Sequence, residues 1–232
     1  VVAISLVAMA AQLLRARDAS WWEAGMWLLV SVLLGPIAVA AYFFDRRRQG
    51  AGEAAVCGGL FCVAGFAVGW AIAIALLLAG GDDPSPLLIL GATVVIPYVV
   101  GLVVVTAPML RKAGAKPLRR GAISGLVVWG VTLAVFFPLT FLFDNRWLST
   151  IPAPTSPYFG AMMSIIAVVS LIFLIPTNLL LRRRGFVVWA GSGDGRDGAA
   201  VTLPTWRESW RLVLSAVAVM FAGIVVAIGI NG

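Results

Sequence analysis

Cys57 and Cys62 are the side chains best suited to thiol or soft-metal chemistry in a chain that contains no histidine. Five residues apart on one helix, they would lie roughly 140° apart around the axis and about 7.5 Å apart along it, so they cannot bridge each other without unwinding it. A methionine from another helix, Met162 or Met163, would give Cys62 a partner for Cu(I). The competing and preferred reading is that both cysteines are small apolar packing residues. The lack of histidine removes most zinc, haem and histidine-based catalytic schemes, and no cofactor or metal is assigned. Lys112 and Lys116 are the only lysines and fall in a polar loop, so no lysine is deep enough in a helix for a retinal Schiff base. The Gly-Ser-Gly-Asp-Gly-Arg-Asp-Gly run at 191–198 lacks the Gly-Lys-Ser/Thr of a phosphate-binding loop and reads as a flexible turn.

Two polar residues remain as possible solute or partner contacts. Glu23 falls near the end of an apolar span beside Trp21 and Trp22, where a carboxylate reaches water, although an ion or partner contact is the alternative. Asn178 follows Pro176 by two residues. Its amide is expected either to bond a carbonyl freed by the proline or to contact a solute. With no nucleophile paired to a base and no carboxylate pair within an apolar span, a catalytic role is not expected.

The elements that hold these residues are set by composition. Hydrophobic residues make up 61% and charged residues 12% of the 232 positions, whereas soluble domains carry about a quarter charged residues. A helix crossing ~30 Å of hydrocarbon needs about 20 apolar residues. The chain supplies such runs at 21–44, 54–80, 87–109, 121–143, 159–181 and 212–230, after a partial first helix ending near Leu14. Ala8-Met9-Ala10 would suit a signal-peptidase site, but no basic segment precedes it. The expectation is therefore one all-α polytopic bundle of about seven helices over residues 1–232, since lipid-exposed backbone must be satisfied within each segment.

Arginine and lysine orient that bundle. Fourteen of the 17 cationic residues fall in loops at 46–48, 111–120 and 182–211, and Arg15, Arg17 and Arg146 fall opposite. The three basic loops are expected on the cytoplasmic side and the C-terminus outside. The net charge of +7 is thus a matter of topology, with no nucleic-acid partner implied. Thr205 and Glu208 form a capping box that starts the last helix and lays Trp206 and Trp210 on the membrane surface. Pro36 and Pro176 each precede an arginine triplet, as a parallel repeat or simply two kinked, inward-running helices would.

Small residues form the clearest pattern. Ala54, Gly58, Cys62, Gly65, Gly69 and Ala73 recur every three or four positions, and Gly121 and Gly125 repeat the device. Such stripes let helices approach closely, within the bundle or against another membrane subunit.

The run YFGAMMSIIAVVSLIFLIPTNLLLRRRG, with Met162, Met163, Pro176, Asn178 and Gly185, resembles the closing pattern of a family of prokaryotic membrane proteins catalogued as domain of unknown function 4396. GPIAVAAY, with Gly35, Pro36 and Tyr42, is similar to the Gly-Pro motif of that family, and the likeness spans roughly residues 21–187. It implies a multi-pass protein of a prokaryotic cytoplasmic membrane. Cys62 and Gly65 keep part of the His-Cys-x-x-Gly-Asp segment, but Phe61 and Phe66 replace its histidine and aspartate, so those two side chains are not there for a metal or proton role. The family has no established activity to transfer. The expected function is a non-catalytic subunit that scaffolds a larger membrane complex. A permease for a small neutral solute is the alternative, and a Cu(I)-binding accessory subunit comes third.

Overall fold

A computed structural model describes residues 2–15, 21–47, 51–79, 85, 87–88, 91–111, 117–143, 156–184, 186 and 205–231. These residues form α1 (Val2–Arg15), α2 (Trp21–Leu34), α3 (Pro36–Arg47), α4 (Ala51–Ala79), α5 (Ile96–Arg111), α6 (Pro117–Leu142), α7 (Pro157–Arg183) and α8 (Trp206–Asn231). No strand occurs among them. Four stretches, Val56–Ala79, Gly121–Leu142, Tyr158–Arg183 and Trp206–Gly229, are long and apolar enough to cross a membrane. They belong to α4, α6, α7 and α8, and they identify a helical membrane protein. The seven-span count and its orientation go beyond these four helices.

The span expected at 21–44 is two helices. Gly35 takes φ of 53°, a left-handed conformation that costs glycine little and other residues more. Its amide donates to the Ser31 carbonyl at 3.0 Å, ending α2, and Pro36 then opens α3 with its φ already set for a helix. At 14 and 12 residues the two pieces are about 21 and 18 Å long, each short of the hydrocarbon thickness.

Other prolines are accommodated differently. Pro97 is the second residue of α5, one position beyond the end of a π-helical turn, Gly91–Val95, whose wider winding makes room for a ring that clashes in an ordinary α-turn. Pro138 and Pro176 lie inside continuous helices α6 and α7. The start of α7 is capped by Ser156, whose hydroxyl accepts from the Phe159 amide at 3.2 Å. The start of α8 carries the expected reciprocal cap: Thr205 N donates to Glu208 Oε2 at 2.8 Å, and Glu208 N donates to Thr205 Oγ1 at 3.3 Å.

Packing builds a chain of close pairs, α4 on α5, α5 on α6 and α6 on α8, with α7 against α4 and α6. Glycine decides how close they come. A Cβ placed on Gly69 would stand 2.6 Å from Pro97 Cα, and one on Gly65 would stand 2.9 Å from Val104 Cγ2. Gly125 faces Leu102 of α5, Gly130 faces the Ala216 carbonyl, and a Cβ on Gly223 would lie 2.5 Å from Ala134 Cα. In lipid the hydrophobic effect does not hold helices together, so these dispersion contacts carry more of the association.

A bulkier residue at the α6–α8 contact must therefore separate the two backbones. Gly223→Leu is expected to lower thermal stability in detergent by about 1–3 kcal/mol. Gly229→Leu, on the same helix with open space around a Cβ, should leave the melting temperature unchanged. Equal melting of the two variants would refute the backbone contact.

Candidate functional site

The interior of α7 concentrates the polar groups that could meet a ligand. Its inward face carries Ser170, Leu171, Leu174, Asn178 and Leu181, all buried. Asn178 is 1% exposed, and neither its Oδ1 nor its Nδ2 has a hydrogen-bond partner among the described residues. The Ser170 hydroxyl, two turns earlier, is likewise buried and unpartnered. The carbonyl freed by Pro176 belongs to Ile172, six residues before Asn178 and about 9 Å away along the helix, so the Asn178 amide cannot reach it. That sequence expectation is corrected: the amide turns toward α4, where Nδ2 would be 3.7 Å from a Cβ on Gly59.

Gly59 was not part of the expected stripe, yet it faces Leu171, Ile175 and Asn178 of α7. The stripe itself divides by neighbour. Gly58, Cys62, Gly65, Gly69 and Ala73 are all buried, with Gly65 and Gly69 turned to α5. Gly121 and Gly125 are buried in the first half of α6. The side chain of Ala54 lies outside the described residues. The α6–α8 contact through Gly130, Ala134, Ala216 and Gly223 was missed, although Gly130 with Ala134 and Gly223 with Ala227 repeat small residues at a spacing of four.

Cys62 borders a narrow crevice among α4, α5 and α6, with Phe66, Tyr98, Gly101, Trp129 and Thr132 on its walls and room for roughly one water molecule. Tyr98 and Trp129 meet edge to face at 5.5 Å, and the Thr132 hydroxyl is taken by its own helix through Val128 O at 2.8 Å. Cys57 and Cys62 are both buried, and neither forms a disulfide. Cys62 packs in the cluster around Trp27 and Leu60, whereas Met162 packs in a second cluster with Leu133, Phe136 and Ile166, Met163 resting against it. The structure thus seats Cys62 and Met162 in separate clusters. No group of three or more Cys, Asp or Glu side chains converges among the described residues.

Aromatic side chains fill the positions flanking Cys62. Phe61 meets Trp22 at 5.8 Å and Trp27 at 5.4 Å, both edge-on, and Phe66 meets Phe136 at 6.1 Å. Such pairs contribute about 0.5–1.5 kcal/mol each beyond area burial. Glu23 stands half-buried in the first turn of α2, where the helix dipole favours its negative charge. Among the described residues the arrangement is that of a helical integral membrane protein with a largely apolar and aromatic interior, in which Asn178 and Ser170 are buried polar side chains. No family model, curated protein or solved structure matches the chain.

A buried amide without a partner is a cost that an apolar side chain removes. Asn178→Leu, which keeps the γ-branched shape and the number of heavy atoms, should raise stability in detergent by about 1–2 kcal/mol. A loss of that size, measured by thermal unfolding, would mean that the amide is engaged in the folded protein.

Proposed function

We propose that this chain is a non-catalytic multi-pass subunit that scaffolds a larger membrane assembly, with about seven spans, its basic loops in the cytoplasm and its C-terminus outside. The observation that carries this reading is the run of close helix contacts through Gly69, Gly65, Gly125, Gly130 and Gly223, with Gly69, Gly130 and Gly223 meeting the backbone of the neighbouring helix. It joins α4, α5, α6 and α8 into a block whose interior is occupied by apolar and aromatic side chains. Rigid packing of this kind suits a part that positions neighbours. The broad apolar outer faces of α7 and α8, including Ile172, Phe173, Phe221 and Val225, offer surface to lipid or to partner helices. The Met-Met and Pro-x-Asn segment supports kinship with the prokaryotic family named above, and that kinship is part of the proposal.

A permease for a small neutral solute is the second reading. It is favoured by the unpartnered amide of Asn178 and hydroxyl of Ser170, which share one buried face of a proline-containing helix.

Gentle extraction from the native membrane followed by mass spectrometry of the intact assembly separates the two. The scaffold reading expects partner subunits at fixed stoichiometry, released by Gly65→Leu with Gly69→Leu and retained with Asn178→Ala. A chain that extracts alone, with solute uptake surviving the glycine changes and lost with Asn178→Ala, would overturn it.

A further inference from the structure

One end of the bundle gathers cationic and aromatic side chains from three helices. Arg119, near the start of α6, donates from Nη2 to Ser209 Oγ at 2.9 Å and holds its guanidinium carbon 5.1 Å from the centre of the Trp206 ring. Trp206 in turn meets Trp210 edge to face at 5.4 Å. The end of α7 joins them: Phe186, just beyond it, is buried and accepts from Ser124 Oγ of α6 at 3.2 Å, while Arg184 lies within electrostatic reach of Glu208. Arg183, Arg184, Arg207 and Arg211 are exposed here. Among the described residues Glu208 is the carboxylate of this cluster, and its Oε2 already accepts from Thr205. The α8 terminus is closed by that capping box, so the exposed arginines are the groups left to meet an anion.

What lies beside the arginines selects the partner. Leu180 is exposed one turn before Arg183 and Arg184, and Leu214 is exposed one turn after Trp210 and Arg211. A ligand that touches both zones must carry an anionic head and an apolar tail. On α8 the tryptophans alternate with the arginines in the order Trp206, Arg207, Trp210, Arg211, with Leu214 one turn further on. Indole rings favour the boundary of a bilayer, and arginine stems beside them can lie along the apolar surface while their heads reach phosphate. We propose that this end of the bundle is a binding site for anionic phospholipid, with Arg183, Arg184, Arg207 and Arg211 on the headgroup phosphate and Trp206 and Trp210 at the level of the glycerol backbone. Arg119 is a positioning residue that holds Trp206 in place.

The test reconstitutes the full chain in phosphatidylcholine vesicles containing phosphatidylglycerol, with trace spin-labelled lipid of either headgroup, and reads the motionally restricted fraction. Near-surface arginines are each worth about fivefold in association. Wild type should therefore favour labelled phosphatidylglycerol at least about fivefold at low salt, with the preference shrinking as ionic strength approaches about 0.5 M. The pairs Arg183→Gln with Arg184→Gln and Arg207→Gln with Arg211→Gln, made separately, change exposed residues and leave the packing intact. Each should cut the preference severalfold, while Arg15→Gln should not. Equal restriction of both lipids by wild type, or a preference untouched by either pair, would overturn the proposal. So would loss of the preference on adding inorganic phosphate alone, which would assign a soluble-anion site. Displacement of labelled phosphatidylglycerol by an acidic peptide but not by unlabelled phosphatidylglycerol would overturn it in favour of a protein partner.

Discussion

Close approach of helix backbones is the constraint on which the rest of this structure depends. Helices that already satisfy their own amides and carbonyls gain little hydrophobic free energy by meeting in lipid, so contact area and proximity must hold them. The five glycines at the α4–α5, α5–α6 and α6–α8 contacts supply that proximity. Gly69 meets the backbone of Pro97, and Gly223 that of Ala134, so a single methyl at either would overlap main-chain atoms that cannot turn aside. Gly65, which meets the branched side chain of Val104, has only a little more freedom. The aromatic clusters then fill the wider gaps. Trp70 stacks on Phe136 at 4.9 Å where glycine no longer lets the helices touch, and Trp27 wedges between Tyr42 and Phe61.

Within such an interior a polar group stands out by its energetics. The Asn178 amide carries donors and an acceptor into a space lined by Leu171, Ile175 and glycine. Desolvation without a partner costs a group of this kind about 1–3 kcal/mol. Ser31, Thr132, Thr177 and Ser215 avoid that cost by returning their hydroxyls to the carbonyl four residues earlier. Asn178 has no equivalent escape, because the one carbonyl its proline frees lies too far back along the helix. The contrast makes Asn178, with Ser170 two turns earlier, a residue of α7 whose presence packing alone does not explain.

Much of this was legible in the residue order, and the misses have physical causes. The apolar runs at 54–80, 121–143 and 159–181 correspond to α4, α6 and α7, because runs of that length have few other ways to satisfy their backbones. Thr205 with Glu208 marked the start of α8 ahead of its apolar run, since a capping box is a local signal independent of tertiary context. The break at Gly35 was harder to see. Pro36 suggested a kink, but whether a helix bends or ends depends on the preceding glycine entering the left-handed region, and that is settled by packing. The stripe from Gly58 to Ala73 announced close contact without naming the neighbour, which is a property of three-dimensional order. Gly130 and Gly223 are less conspicuous because each is spaced four residues from an alanine and not from a second glycine, as Gly121 is from Gly125.

The break at Gly35 also changes how the first helices relate to the long ones. A continuous helix over 21–44 would stand beside α4 as a straight rod. Two shorter helices joined at a left-handed glycine let Trp27 of α2 and Tyr42 of α3 converge on each other at 5.2 Å, with Phe61 of α4 closing the group at 5.4 Å from Trp27. The Ser164 hydroxyl of α7 reaches Leu33 O at 3.3 Å, two residues before the break. Helices α2, α3, α4 and α7 thus meet around a turn that only glycine adopts at little cost. A conformational choice at one residue thereby places the apolar cluster that contains Cys62, and the position of Cys62 follows from backbone geometry more than from any demand of thiol chemistry.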